Sequence, residues 1–76
     1  MKFELYEATD KRDNRKMMWL RDLDNNRVAT FCHKWAPSRI KHRTAASPDS
    51  IIWEDGDLFK KHAILIDRID VWEFSL

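Results

Sequence analysis

Four side chains in this sequence could ligate a soft metal or pair as nucleophile and base: Cys32, His33, His42 and His62. A structural zinc site in a short chain normally shows a closely spaced ligand pair, and Cys32 is the only cysteine. Cys32 and His33 are adjacent, so on a strand they would face opposite ways. A Cys-His pair could suggest thiol chemistry, yet nothing in the sequence supplies an oxyanion site. No metal, no cofactor and no catalysis are expected.

Glu54, Asp55 and Asp57 surround Gly56 as an acidic turn that could hold a cation or meet a basic partner. Their spacing does not fit a calcium loop, whose ligands span about twelve positions and end on Glu. The basic counterpart lies upstream. Residues 27–50 carry five Lys and Arg against one Asp, whereas residues 1–26 hold six of each sign and residues 51–76 hold three against six. That middle segment contains Lys34, Trp35, Arg39, Lys41, His42 and Arg43. Clustered cations bind phosphates, and a flat ring among them offers the bases of a single strand a surface to stack on. The bland reading is a solvated loop whose charges maintain solubility or pair with the acidic last third.

These residues need a scaffold. With 76 residues the chain has room for one domain, 1–76, and its 43% hydrophobic content is too high for a disordered segment. Gly56 is the only glycine, which removes the glycine-rich loops that cradle nucleotide phosphates. The lone cysteine fits a reducing compartment, so a cytoplasmic location is expected. The longest apolar runs, Met17 to Leu20 and Ala63 to Ile66, have four residues each, so neither a signal peptide nor a membrane span is expected. In so small a domain, Trp19, Trp35, Trp53 and Trp72 belong mostly to the core.

Residues 2–8 alternate as a strand does, and Thr9 to Lys16 is polar enough for a solvated loop. Met17 to Leu23 and Val28 to Trp35 read as a hairpin, with Asn25-Asn26 in a type I′ turn because Asn tolerates positive φ. Ala36 to Ser50 holds both prolines and predicts a loop with one helical turn near Ser38 to Arg43. Ile51 to Lys61 fits either a helix begun at Ser47-Pro48-Asp49 or a hairpin through Asp55-Gly56. The hairpin is favoured, since glycine inside a helix costs about 1 kcal/mol. From His62 to Leu76 the alternation changes phase, so bulges near Asp67-Arg68 and Trp72 are expected to aim every apolar residue inward. The result is a mainly β fold, or failing that α+β: five or six short antiparallel strands in a small SH3- or Sm-like barrel or a strongly bent sheet, with at most one short helix.

Lys61-His62-Ala63-Ile64, following Phe59, resembles the second sequence motif of bacterial Hfq in the Sm-like family, and Leu65-Ile66-Asp67-Arg68-Ile69 resembles the closing strands of Rof, a small Sm-like protein that binds the termination factor Rho. The resemblance covers about residues 17–74. It implies an RNA-contacting role for Lys61 and His62.

Two functions follow as expectations. The first is a small non-enzymatic protein that binds a host or regulatory protein as an inhibitor or regulator, of the kind phages and mobile elements carry. It rests on the small size and on tryptophan, a residue that dominates interface hot spots, with the acidic turn at the contact. The second is an Sm-like regulator that binds single-stranded RNA through residues 34–43, joined by Lys61 and His62. Monomer and dimer both remain open, and no membrane partner is expected.

Overall fold

The computed structural model describes residues 1–74, so an inward role for Leu76 lies outside the described residues. The chain is mainly β. Strands β1 (Lys2–Asp10), β2 (Arg15–Asp22), β3 (Arg27–Cys32), β4 (Glu54–Asp55) and β5 (Ala63–Glu73) form one antiparallel sheet in the order β4-β3-β2-β1-β5. Two helices, α1 (Pro37–Ala46) and α2 (Asp57–His62), and a single 3-10 turn at Pro48–Ser50 complete the described elements.

The unbroken apolar run Met17-Met18-Trp19-Leu20 shows how the sheet is used. A strand with one wet face alternates, whereas a strand covered on both faces is apolar throughout. Met18 and Leu20 pack with Phe3, Leu5 and Ala29 beneath Ile40 of α1 and Ile51. Trp19 and Met17 point the other way, toward Tyr6, Ala8, Val28 and Phe59 of α2. The pairs Leu5 with Leu20 and Tyr6 with Trp19 keep the two sets in register. Phe3, fully buried, holds the first core together by ring contacts to Trp72, Phe74 and Trp53. In the second core Trp19 packs edge-on to Phe59 and donates its indole N–H to the Ala8 carbonyl at 3.1 Å.

Of the two expected forms, the sheet is open and not a closed barrel, with β4 and β5 as its edges. The helical content exceeds the one short helix expected. Helix α1 runs ten residues where one turn was anticipated. Pro37 starts it at a position whose N–H would be unpaired anyway, and two buried residues one turn apart, Ile40 and Thr44, suffice to anchor it. Ala36 occupies the N-cap position without a side-chain bond. The hairpin through Asp55-Gly56 does not form either. Glu54–Asp55 pairs with Arg27 and Val28 of β3, and the chain enters α2 directly after Gly56.

Both long hairpins turn by the same device. In each, a buried aspartate ends the first strand, four residues follow, the last of them is an Asn with positive φ, and an Arg begins the next strand: Asp10 to Arg15 with Asn14 at φ 59°, and Asp22 to Arg27 with Asn26 at φ 46°. Asn25 is not among the positive-φ residues, so the expected type I′ turn is replaced by this longer loop. The Asp22 carboxylate accepts the Asp24 and Asn25 backbone N–H groups, the Asn25 amide and the Arg27 guanidinium at 2.8 Å. The Asp10 carboxylate accepts the Arg12 N–H and clasps its guanidinium, the shortest contact being 2.7 Å.

Both carboxyls titrate below their usual range. The Arg12 hydrogen bonds lower that of Asp10. Burial alone would raise that of Asp22, but the bonds from Asn25 and Arg27 outweigh it. A carboxyl lowered by folding adds stability that is complete above its unfolded value, about 3.9, and is lost as pH falls through the folded value. Thermal melts from pH 7 to pH 2 should therefore show Tm level down to about pH 5 and falling steadily below it. A Tm that rises on acidification would contradict this assignment.

The bulges of β5 do not turn its apolar residues inward. Against β1, the register slips between Leu5 and Tyr6, leaving Ile69 extra, and between Glu7 and Thr9, near Leu65 at φ 53°. Near Trp72 the pairing is regular. Trp72 does face the core, but the aliphatic residues from Ile64 to Val71 stay outside. Strand β1 is internal, and β5 forms the sheet margin opposite β4.

Candidate functional site

Two surfaces stand out, on different parts of the fold. The first is α1 and the turn before it. Because Ile40 and Thr44 face the sheet, the residues at 39, 42, 43 and 46 share an outer face. Trp35, Arg39, His42, Arg43, Ala46, Ser47 and Ser50 line an open groove of about 420 Å³. Trp35 is half-buried, leaning on Phe31 with ring centres 5.3 Å apart, and the Arg39 guanidinium lies over its ring at 3.8 Å. Beyond Trp35 a second depression of about 230 Å³ continues along Phe31, Ile51 and the exposed Ile52.

The six residues expected to act together in this segment are thus divided. Trp35, Arg39, His42 and Arg43 share the groove, while Lys41 leans over the Trp72 ring at 5.6 Å and Lys34 sits exposed in the preceding turn. Among the described residues, Lys34, Arg39, Lys41 and Arg43 form no ion pair, so the acidic last third does not neutralise them.

Lys61 and His62 are not part of this surface. They end α2, on the far side of the sheet from α1. The His62 ring is half-buried against the β1–β2 loop, and its Nδ1 has no hydrogen-bond partner among the described residues. Burial, with the charges of Arg12 and Lys61 beside it, lowers its pKa.

The acidic turn is engaged in the fold. Asp57 accepts the Asn26 amide at 3.3 Å, Asp55 accepts the Asp57 N–H at 3.0 Å, and Glu54 pairs in β4 at the edge opposite β5. No three His, Cys, Asp or Glu side chains converge as a metal site among the described residues. Glu4, Tyr6, Arg21 and Arg68 form a polar network beside α2: Tyr6 donates to Glu4 at 2.9 Å, and both arginines approach the same carboxylate at 3.8 Å. Burial, reinforced by Glu4, raises the Tyr6 phenol. Every member has a partner, so the network secures β1 to its neighbours.

The second surface is β5, which sequence periodicity had turned inward. Ile64, Leu65, Ile66, Ile69 and Val71 are 40, 83, 49, 39 and 42% exposed along the free edge of the sheet. Asp67, Asp70 and Glu73 stand among them. The tryptophans, by contrast, are buried or half-buried, so among the described residues no exposed aromatic patch accompanies the acidic turn. The signal for β5 was its change of phase, which marks a strand unable to bury all its apolar residues on one face.

Comparison of the chain with protein-family models, curated proteins and solved structures finds no match.

Proposed function

We propose that this protein acts by binding another protein, as an inhibitor or regulator that occupies a surface of its partner, and that β5 is the surface it uses. The observation that carries this reading is the exposed aliphatic row from Ile64 to Val71. Monomeric proteins rarely leave such a row on an edge strand, because it invites association.

The mode of contact follows from local detail. Addition of a partner strand needs a flat edge with free N–H groups. Here two register slips interrupt the edge, and the Asp70 carboxylate already accepts the Val71 N–H at 2.8 Å. The partner therefore meets side chains rather than backbone. With Asp67, Asp70 and Glu73 around the row, and Arg68 drawn toward Glu4, it presents an apolar recess edged by Lys or Arg.

Replacing Ile66 and Ile69 together by Asp tests this. Both side chains are already exposed, so stability should change by no more than about 0.5 kcal/mol per site. The wild-type chain, used as bait in a nuclease-treated lysate of its source cells, should retain one stoichiometric protein that the double variant does not. Retention of the same protein by both chains, or of none by either, would remove the proposal.

A further inference from the structure

We infer that the groove along α1 is a binding site for single-stranded nucleic acid, with phosphates held by Arg39 and Arg43 and a base lodged beside Trp35. This site is separate from β5 and does not depend on the reading given to that strand. Three features converge on it. The helix bears Arg39, Lys41 and Arg43, with Lys34 just before it, and none is neutralised by a carboxylate among the described residues. Unpaired cations one turn apart on a helix attract a chain of phosphates and gain further by releasing its counterions.

The groove is also concave and chemically mixed. Its cationic half, lined by Arg39, His42 and Arg43, runs into an apolar half along Phe31, Ile51 and Ile52, with Trp35 and Arg43 lining both. That alternation suits a strand whose phosphates lie in water and whose bases seek flat or apolar contacts. Arg39, stacked at 3.8 Å on Trp35, adds a planar guanidinium held in place on which a base can stack. An acidic peptide would use the charges but would have no need of this flat, apolar continuation.

The site excludes Lys61 and His62, which lie across the sheet. It also makes a double helix a poor occupant, because the rings and aliphatic side chains find bases to contact only where the bases are unpaired.

The test is fluorescence anisotropy with labelled oligouridine RNA and oligothymidine DNA of about 12 nucleotides, long enough for one small site. For two or three contacted phosphates, log affinity should fall against log salt with a slope of roughly −1.4 to −2.1. Arg39→Gln with Arg43→Gln, which keeps the helix, should weaken binding about tenfold or more. Lys60→Glu on α2 changes the net charge by the same amount and should leave affinity within about twofold. On titration with RNA, NMR amide shifts should concentrate in residues 35–52. Binding of both strands, or of RNA alone, supports the site. A slope near zero, an equal loss in Lys60→Glu, shifts concentrated on α2, or displacement of the RNA by polyglutamate at equal charge concentration would overturn it.

Discussion

Replacing Asp22 by Ala should lower the stability of this domain by about 3 kcal/mol, because four hydrogen bonds to one buried carboxylate are lost together and their donors are left behind. For a domain of this size, that corresponds to a fall in Tm of roughly 12 to 24 °C. The side chain is fully buried, so water cannot replace the missing acceptor without entering the turn. Asp22→Asn should recover only part of the loss, since its amide would set a donor against the donors of Asn25 and Arg27. Asp10→Ala should cost about half as much, because Arg12, its one side-chain partner among the described residues, is half exposed and can turn to water. Thermal and urea denaturation of the three variants would rank them. Equal losses at Asp10 and Asp22 would show that the two turns are not held by carboxylate burial as described.

Gly56→Ala should be the second severe change, although backbone conformation alone predicts the reverse. Gly56 sits at φ −60°, ψ −24°, ordinary helical values. Alanine there would normally stabilise by about 0.4–1 kcal/mol, by restricting the unfolded chain. The space forbids it. A Cβ at this position would run into the Asn26 side-chain Oδ1 and would lie 2.7 Å from the Asn26 carbonyl carbon and 2.8 Å from its oxygen. The same oxygen accepts the Gly56 N–H at 2.9 Å, and Asn26 is held in its left-handed conformation by the β2–β3 turn. Either the hydrogen bond between the turn and the start of α2 breaks, or the turn shifts, at a net cost of about 2 kcal/mol. A urea melt measures it directly. Adding Asn26→Gly to the same chain should recover only part of the loss, because it removes the Oδ1 contact and leaves the two with backbone that any residue would place there. Full recovery would mean that the Asn26 side chain was the obstacle.

Features written within a few neighbouring residues were legible in the sequence. The hairpin of β2 and β3 was visible because two apolar segments flank Asn25-Asn26, although the turn itself took a longer form. The end of α1 follows from Pro48, and the two-sided burial of β2 is implicit in Met17 to Leu20. The aromatic core could be anticipated, since so short a chain has little else to bury. The basic segment was evident from charge alone, as was the acidic turn, but charge along a chain does not say which residues share a surface. Lys41 and Arg43 are two apart in sequence, and helical geometry sends them to different sides.

What sequence determined about this protein is thus its preference for strands and the polar turns that join β1 to β2 and β2 to β3, because each is set by neighbours along the chain. Tertiary structure decided which faces are covered. The outward Ile64, Ile66 and Ile69 look no different in sequence from the buried Leu5 and Leu20. They stay exposed because β5 lies at the sheet edge and its bulges turn it away from the cover that α1 and α2 give the central strands. Burial is settled by contacts between segments far apart in the chain, and no periodicity within one segment encodes which other segment will arrive to cover it.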